Sequence, residues 1–153
     1  MRGRSPVLLV IEDARDQAIL VGVAARRAHP GLDVRIADDG LEGIAYLAGT
    51  TPFEDRRVSP HPDLVILDLL MPEVDGFEVL SYVRSRLSPA AYPVVVLTSS
   101  TDPRHEARAL ELGASDVYRK PAELGELGRI VREIVDRWIG VGDIIGAHIG
   151  DAG

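Results

Sequence analysis

The sequence predicts an α/β domain in which helices wrap a five-stranded, doubly wound parallel sheet. Apolar runs of strand length alternate with stretches of helical periodicity, which is typical of a parallel sheet covered by helices. Runs such as VLLVI and LVIL are apolar enough to be buried on both faces. The chain has 153 residues, 46% hydrophobic and 27% charged, which is typical of one soluble domain with a sizeable core.

The first half of the chain contains two pairs of strand and helix and one long loop. We predict strands at residues 7–11 and 33–37, with helices at 14–28 and 41–48. The apolar positions of the second helix follow helical spacing: Leu41, Ile44, Ala45 and Leu47. Residues 49–62, GTTPFEDRRVSPHP, contain three prolines and mixed charges, which indicates a long loop and not a domain boundary.

The second half continues the same alternation. We predict strands at residues 63–67, 94–97 and 116–119, and helices at 77–86, 103–112 and 124–138. Asp75-Gly76 indicates a turn and the start of a helix, and Gly113 ends the fourth helix.

Charge and composition argue against several classes of function. The net charge of -7 comes from 24 acidic and 17 basic residues without a basic block, so we expect no binding to nucleic acid or to an anionic membrane. The absence of cysteine excludes disulfide and thiolate chemistry. The first apolar run is short and meets Glu12 and Asp13, so we expect no signal peptide and no spanning helix, and we predict a cytoplasmic protein.

Polar side chains follow four of the five predicted strands. Glu12 and Asp13 end the first strand, Asp68 the third, Thr98 the fourth and Lys120 the fifth. Because ligands of open parallel sheets bind outside the carboxyl ends of the strands, we expect these side chains to converge on one crevice. Three close carboxylates repel one another unless a cation lies between them, and an all-oxygen site of this kind suits Mg²⁺.

The basic residue in this set is unusual, because Lys120 is the only lysine in a chain with sixteen arginines. A lysine ammonium is a compact point charge, suited to a single phosphoryl group contacted from one side. The Thr98 hydroxyl can hydrogen-bond a phosphoryl oxygen. With Asp68 as nucleophile and a metal to neutralise charge, these groups predict phosphoryl transfer to a carboxylate.

Four segments form a specific set at the strand ends. They are EDARDQ after the first strand, LDLLMPEVDGFEVL after the third, VVVLTSS at the fourth and RKPAELGEL after the fifth. As a set they resemble the receiver domains of bacterial two-component response regulators over about residues 7–138. This resemblance implies a flavodoxin-like receiver fold with strand order 2-1-3-4-5. The long loop and the Trp138-Ile139 ending are most similar to single-domain regulators that partner phytochrome-type histidine kinases.

The resemblance also implies a metal site. Asp68 is then the phospho-acceptor, and Asp13 and Asp68 bind Mg²⁺ together with the backbone carbonyl of Leu70. Glu12 contributes mostly through water.

For the phosphoryl group, the resemblance implies that Lys120 is the binding ammonium and Thr98 the switch hydroxyl, with Leu70 and Ser99 as further binding positions. It also implies a cis peptide bond between Lys120 and Pro121. The protein would catalyse its own phosphorylation and would not act on another substrate. Its expected partners are a histidine kinase and, for onward transfer, a histidine phosphotransfer protein.

Two features depart from the family pattern. Many receivers have an aromatic residue three positions before the lysine, which swings inward when the switch hydroxyl binds phosphoryl, but this chain has Val117 there and Tyr118 next. Leu70 and Ser100 occupy the variable positions that tune water access to the acyl phosphate. Because Leu70 is apolar and cannot orient a hydrolytic water, we expect slow self-dephosphorylation.

Ordinary interpretations compete with these assignments. A single Asp at a strand end is commonly a helix cap, Thr98 suits an ordinary strand position, and Glu12 is either a solvated charge or a ligand through water. We assign no catalytic or phospho-acceptor role to the histidines, which are His29, His61, His105 and His148.

Two other classes of protein compete with a phospho-accepting regulator. A haloacid-dehalogenase-like phosphatase also uses an Asp nucleophile with Mg²⁺, but it needs a second Asp where this chain has Leu70. A non-phosphorylated receiver-like interaction module keeps the fold and loses the site. Neither glycine-rich nucleotide-binding motif occurs in the sequence.

The C-terminal segment is the last feature that the sequence singles out. We divide the chain into a receiver domain at residues 1–138 and an apolar arm at 139–153, with no output domain. The arm is rich in isoleucine and glycine and would expose a sizeable apolar patch. We expect a homodimer formed through this arm and the last helix. The alternatives are a disordered tail and an arm folded back on its own helix.

Overall fold

The structure is a computed structural model and describes residues 4–86 and 92–140. Strands and helices alternate along these residues: β1 Val7–Ile11, α1 Arg15–Ala28, β2 Asp33–Ala37, α2 Gly40–Ala48, β3 Leu64–Leu67, α3 Gly76–Arg86, β4 Val94–Thr98, α4 Pro103–Glu111, β5 Asp116–Arg119 and α5 Leu124–Trp138. Each bound lies within one residue of its predicted position.

The strands form one parallel sheet in the order β2-β1-β3-β4-β5, which confirms the predicted fold class. In its register, Ile11 of β1 pairs with both Ala37 of β2 and Leu67 of β3. The carboxyl ends of β1 and β3 are therefore level. β4 extends one residue beyond the predicted end because Thr98 pairs with Arg119 of β5.

Buried side chains form one apolar layer on each face of the sheet. Within β3, Val65 and Leu67 pack in the layer shared with α2, α3 and α4, while Leu64 and Ile66 pack in the layer shared with α1 and α5. This alternation follows from the pleat of a strand, which points successive side chains to opposite faces. With both faces covered, the edge at the carboxyl ends of the strands is left for polar side chains.

The predicted cis bond between Lys120 and Pro121 is wrong. Within the described residues, the cis peptide bond lies between Thr51 and Pro52, in the long loop between α2 and β3. An X-Pro bond favours the trans isomer unless the surrounding structure selects cis, and a sequence motif does not reveal that selection.

The predicted C-terminal arm is described only at its first two residues. The backbone N–H groups of Ile139 and Gly140 donate to the Val135 carbonyl, at 2.8 and 3.1 Å, so both residues cap the end of α5. Residues 141–153 lie outside the described part of the chain. Over the part that is described, no helix has the length and apolar character to cross a membrane.

Candidate functional site

Three carboxylates meet where β1 and β3 end. Glu12 and Asp13 follow β1, Asp68 follows β3, and one carboxylate oxygen of each lies within 4.8 Å of the others. The level ends of the two strands explain this approach. Glu12 and Asp68 are only 5% and 6% exposed, whereas Asp13 is exposed. The interpretation of Glu12 as a solvated charge is therefore wrong.

The ammonium of Lys120 lies against this cluster. Its Nζ donates to Oε1 of Glu12 at 2.6 Å and to Oε1 of Gln17, on α1, at 2.7 Å. The same Nζ lies 3.6 Å from Oδ2 of Asp68, and the lysine side chain is 10% exposed. The ammonium of Lys120, which follows β5, therefore lies between residues from the ends of β1 and β3 and from the first turn of α1.

The electrostatics of the cluster oppose full ionisation of its buried members. Burial raises the pKa of Glu12 from 4.5 to about 7, and the charge of Asp68 adds to the rise, although the hydrogen bond and charge of Lys120 act in the opposite direction. Burial also raises the pKa of Asp68, against the lowering effect of Lys120. Additional positive charge at this position would relieve the repulsion between the carboxylates.

The donor set fits a small, hard divalent cation. Three carboxylates within 4.8 Å of one another offer only oxygen ligands, and one of them, Asp13, is open to solvent. Mg²⁺ prefers this arrangement, because it binds one or two carboxylates directly and keeps several water ligands. The cluster of Glu12, Asp13 and Asp68 therefore fits a cation of this kind.

The segment after Asp68 is held tightly against the start of α3. The Leu70 N–H points to Oδ1 of Asp68 at 3.4 Å, while the Leu70 side chain is 47% exposed. The Gly76 N–H donates to the Leu69 carbonyl at 2.9 Å. A Cβ atom on Gly76 would overlap the carbonyl oxygen of Asp68, so only glycine allows this approach. Sequence reasoning assigned Gly76 to a turn and the start of a helix and missed this contact.

Thr98 and Ser99 occupy different positions at the end of β4. Thr98 is buried, and its Oγ1 accepts a hydrogen bond from the Ser100 N–H at 3.1 Å. Ser99 is exposed and lines a surface cavity of about 430 Å³ together with Gln17 and Lys120. Within residues 4–86 and 92–140, neither of them hydrogen-bonds to Asp68.

Gln17 is a further site residue that sequence reasoning missed. It lies in the first turn of α1, which directly follows the acidic pair at the end of β1. That closeness in sequence could have marked it as a candidate. Its contact with Lys120, however, depends on how α1 and the end of β5 pack, which no local pattern specifies.

Comparison with known proteins agrees with this geometry. The chain matches the response regulator receiver domain family over residues 8–132. It is 31% identical over 133 residues to the response regulator Rcp1 of Synechocystis, covering 87% of this chain and 88% of that protein. It is 33% identical to the probable methanogenesis regulatory protein FilR2 of Methanothrix harundinacea, covering 88% of this chain and 84% of that protein.

Solved structures show the same likeness. The phosphorylated cyanobacterial phytochrome response regulator RcpA is 29% identical, with a TM-score of 0.81 over 88% of this chain and 94% of that one. The Mn²⁺-bound form of Rcp1 is 31% identical, with a TM-score of 0.78 over 87% and 94% of the two chains. RPA3017, a response regulator in red light signalling of R. palustris, is 29% identical, with a TM-score of 0.79 over 89% and 95%.

Proposed function

The chain belongs to the response regulator receiver family, and from this premise we propose that Asp68 accepts a phosphoryl group from a histidine kinase in the presence of Mg²⁺. The setting of Asp68 is the observation that carries the proposal. Its carboxylate is buried at a strand end, 3.6 Å from the Lys120 ammonium and within 4.8 Å of Glu12 and Asp13. A receiver-like module without phosphorylation has no need of a buried carboxylate between an ammonium and two further acids.

In the proposed reaction, a carboxylate oxygen of Asp68 attacks the phosphorus of a phosphohistidine. A P–O bond forms, the P–N bond breaks, and the imidazole leaves and takes up a proton. When bound, Mg²⁺ would neutralise charge on the phosphoryl oxygens. Asp13, Asp68 and the Leu70 carbonyl would hold the ion, with Glu12 acting through water.

Lys120 and Thr98 would respond to the new phosphoryl group. Lys120 is already close to Asp68, and a shift away from Glu12 and Gln17 would let it contact a phosphoryl oxygen. The Thr98 hydroxyl would donate to another phosphoryl oxygen, and the exposed Ser99 would add a contact at the rim. Full switching between two conformations requires about 5.5 kcal/mol of differential stabilisation, which charged contacts in a buried site can supply.

We propose a phytochrome-type histidine kinase as the phosphoryl donor. RcpA is a phytochrome response regulator and RPA3017 acts in red light signalling, and both resemble this chain over most of their length. The signal would leave through a changed protein surface or through onward transfer to a histidine phosphotransfer protein, and a cytoplasmic location follows from these partners. A phytochrome kinase should phosphorylate this chain faster than a kinase that has another input domain.

The division into a receiver at residues 1–138 and an arm at 139–153, and dimer formation through the arm and α5, remain proposals. Light scattering on the full chain and on a chain that ends at Trp138 tests the dimer. We expect a dimer and a monomer, respectively. A monomeric full chain at micromolar concentration, or a dimeric shortened chain, would show that the arm does not mediate assembly.

Phosphorylation itself is tested by incubating the protein with acetyl phosphate and Mg²⁺ and measuring intact mass. We expect the mass of one added phosphoryl group, which is lost in Asp68→Asn. Asp38→Asn is the matched control, because Asp38 follows β2 at the same edge of the sheet, is exposed and lies outside the carboxylate cluster. An adduct that persists in Asp68→Asn, or no adduct on the unmodified chain, would refute the proposal, and the second outcome would favour the interaction module.

A further inference from the structure

A chain of hydrogen bonds connects Thr98 to the first turns of α4. The Ser100 N–H donates to Oγ1 of Thr98 at 3.1 Å, and the Ser100 hydroxyl lies 2.6 Å from Nδ1 of His105, on α4. The Asp102 N–H donates to the same hydroxyl oxygen at 3.2 Å. A hydroxyl can donate one proton and also accept, so the Ser100 oxygen can take the Asp102 N–H bond while it shares a hydrogen bond with Nδ1 of His105.

The imidazole of His105 also contacts the helix that follows Asp68. Its ring packs edge-on against the ring of Phe77, on α3, with centroids 5.6 Å apart. Phe77 is buried and directly follows Gly76, which lies against the carbonyl of Asp68. His105 therefore touches both segments that leave the candidate site on this side, the β4–α4 loop and the start of α3.

Helix α4 buries little of its side-chain surface and has space beside it. Of its residues, only Ala109 is buried. A cavity of about 70 Å³, lined by Thr98, Ser100, His105 and Val117 among others, lies between the β4–α4 loop, α4 and β5. A large aromatic side chain at Val117 would project from β5 beside this space, but the valine leaves it open. A small movement of the loop can therefore shift α4 at little cost in buried surface.

We propose that His105 is a positioning residue that transmits the movement of Thr98 to α4 through the Ser100 hydroxyl, in place of an aromatic residue on β5. The inference rests on the proposed function, because Thr98 moves only if Asp68 is phosphorylated. As Thr98 turns toward the phosphoryl group, the Ser100 N–H follows its acceptor, the Thr98 hydroxyl. Ser100 then pulls on His105, and α4 moves along the face of Phe77.

Two substitutions at His105 separate hydrogen bonding from packing. His105→Phe keeps a ring against Phe77 and removes Nδ1, whereas His105→Asn places an amide oxygen close to the position of Nδ1. Ser100→Ala removes the same hydrogen bond from its other end and remains informative if His105→Phe folds poorly. Each full-length protein is treated with acetyl phosphate and Mg²⁺, its phosphorylated fraction is measured by intact mass, and hydrogen exchange of the α4 amides is measured on the same sample.

We expect both His105 variants to be phosphorylated to the extent of the unmodified protein. The α4 response of Ser100→Ala is normalised to its own phosphorylated fraction, because Ser100 occupies a position that tunes water access to the acyl phosphate. Phosphorylation should change the hydrogen exchange of the α4 amides, and this change is calculated per phosphorylated molecule. It should be retained in His105→Asn and fall to less than half in both His105→Phe and Ser100→Ala. The double variant should lose no more than either of these two, because both remove one interaction. An α4 response as large as that of the unmodified protein, in either His105→Phe or Ser100→Ala, would overturn the role of His105. So would a response that falls as far in His105→Asn as in His105→Phe. Both outcomes would leave the proposed function intact. Absence of phosphorylation on the unmodified protein would refute the proposed function, and this inference with it.

Discussion

Replacing Glu12 by glutamine should stabilise the metal-free protein at alkaline pH. Burial raises the pKa of Glu12 from 4.5 to about 7, so that ionising this carboxyl in the folded state costs up to about 3 kcal/mol more than in the unfolded chain, at about 1.36 kcal/mol per pKa unit. A folded-state pKa above the unfolded value means that the associated stability is fully present below pH 4.5 and is lost as the pH rises through about 7. Glutamine has the same shape, does not ionise, and can still accept the hydrogen bond of Lys120.

Urea unfolding with a chelator, at about pH 5 and about pH 8, measures this effect. The free energy of unfolding of Glu12→Gln relative to the unmodified protein should rise by up to about 3 kcal/mol between the two pH values. Glu133→Gln, at an exposed position on α5, is the control and should show the same relative stability at both. A Glu12→Gln advantage that is equal at the two pH values would refute the argument that burial of this carboxyl controls its ionisation.

Mg²⁺ extends the same experiment. An ion that binds only the folded protein stabilises it by about 2.7 kcal/mol at one hundred times its dissociation constant. This gain should be larger in the unmodified protein than in Glu12→Gln, because the cation relieves repulsion that the glutamine protein no longer has. Equal stabilisation of both proteins by Mg²⁺ would show that Glu12 does not contribute to the metal site.

Three further predictions concern neighbouring residues. Gly76→Ala should lower the free energy of unfolding in urea by about 1–3 kcal/mol, because the new methyl group overlaps the backbone of Asp68. Gly125→Ala is the control and should cause no loss, since a Cβ atom there meets no atom within 4 Å. Equal effects of the two substitutions would contradict the close approach of Gly76 to Asp68. Gln17→Ala should speed adduct formation from acetyl phosphate by up to about fivefold. Lys120 must leave its hydrogen bond to Gln17 to reach the phosphoryl group, and the substitution removes this cost of about 1 kcal/mol. An unchanged or slower initial rate would contradict this role of Gln17. The acyl phosphate on the protein should hydrolyse slowly, and Leu70→Asn should shorten its half-life by giving the attacking water a polar partner. Intact mass measured over time follows the loss of the phosphoryl group. A half-life of seconds for the unmodified protein would contradict the role of Leu70 in slowing hydrolysis.

The fold and the carboxylate cluster could be predicted because each depends on a repeated local pattern. The buried strands are continuous apolar runs, and Glu12, Asp13 and Asp68 directly follow them, so parallel pairing alone brings these acids together. The position of Lys120 followed from the same rule. Once the strands were recognised, no information about side-chain packing was needed.

The remaining site features depend on tertiary packing that no short pattern contains. Gln17 reaches Lys120 only because α1 packs beside the end of β5, and His105 reaches Ser100 only because of the path of the β4–α4 loop. The choice between cis and trans at Pro121 likewise depends on the surrounding structure, and prediction from the motif failed there. These are contacts between side chains on different elements, and their geometry depends on how those elements pack.

The single lysine has a practical consequence for chemical labelling. Reagents that acylate side-chain amines can modify this chain only at Lys120, whose nitrogen lies beside Asp68. Labelling that is harmless on most proteins, where lysines lie scattered over the surface, would here block the candidate site itself. The same selectivity makes the acylation rate a direct reporter of the site, because an ammonium bonded to Glu12 and Gln17 must lose a proton and leave both partners before it can react.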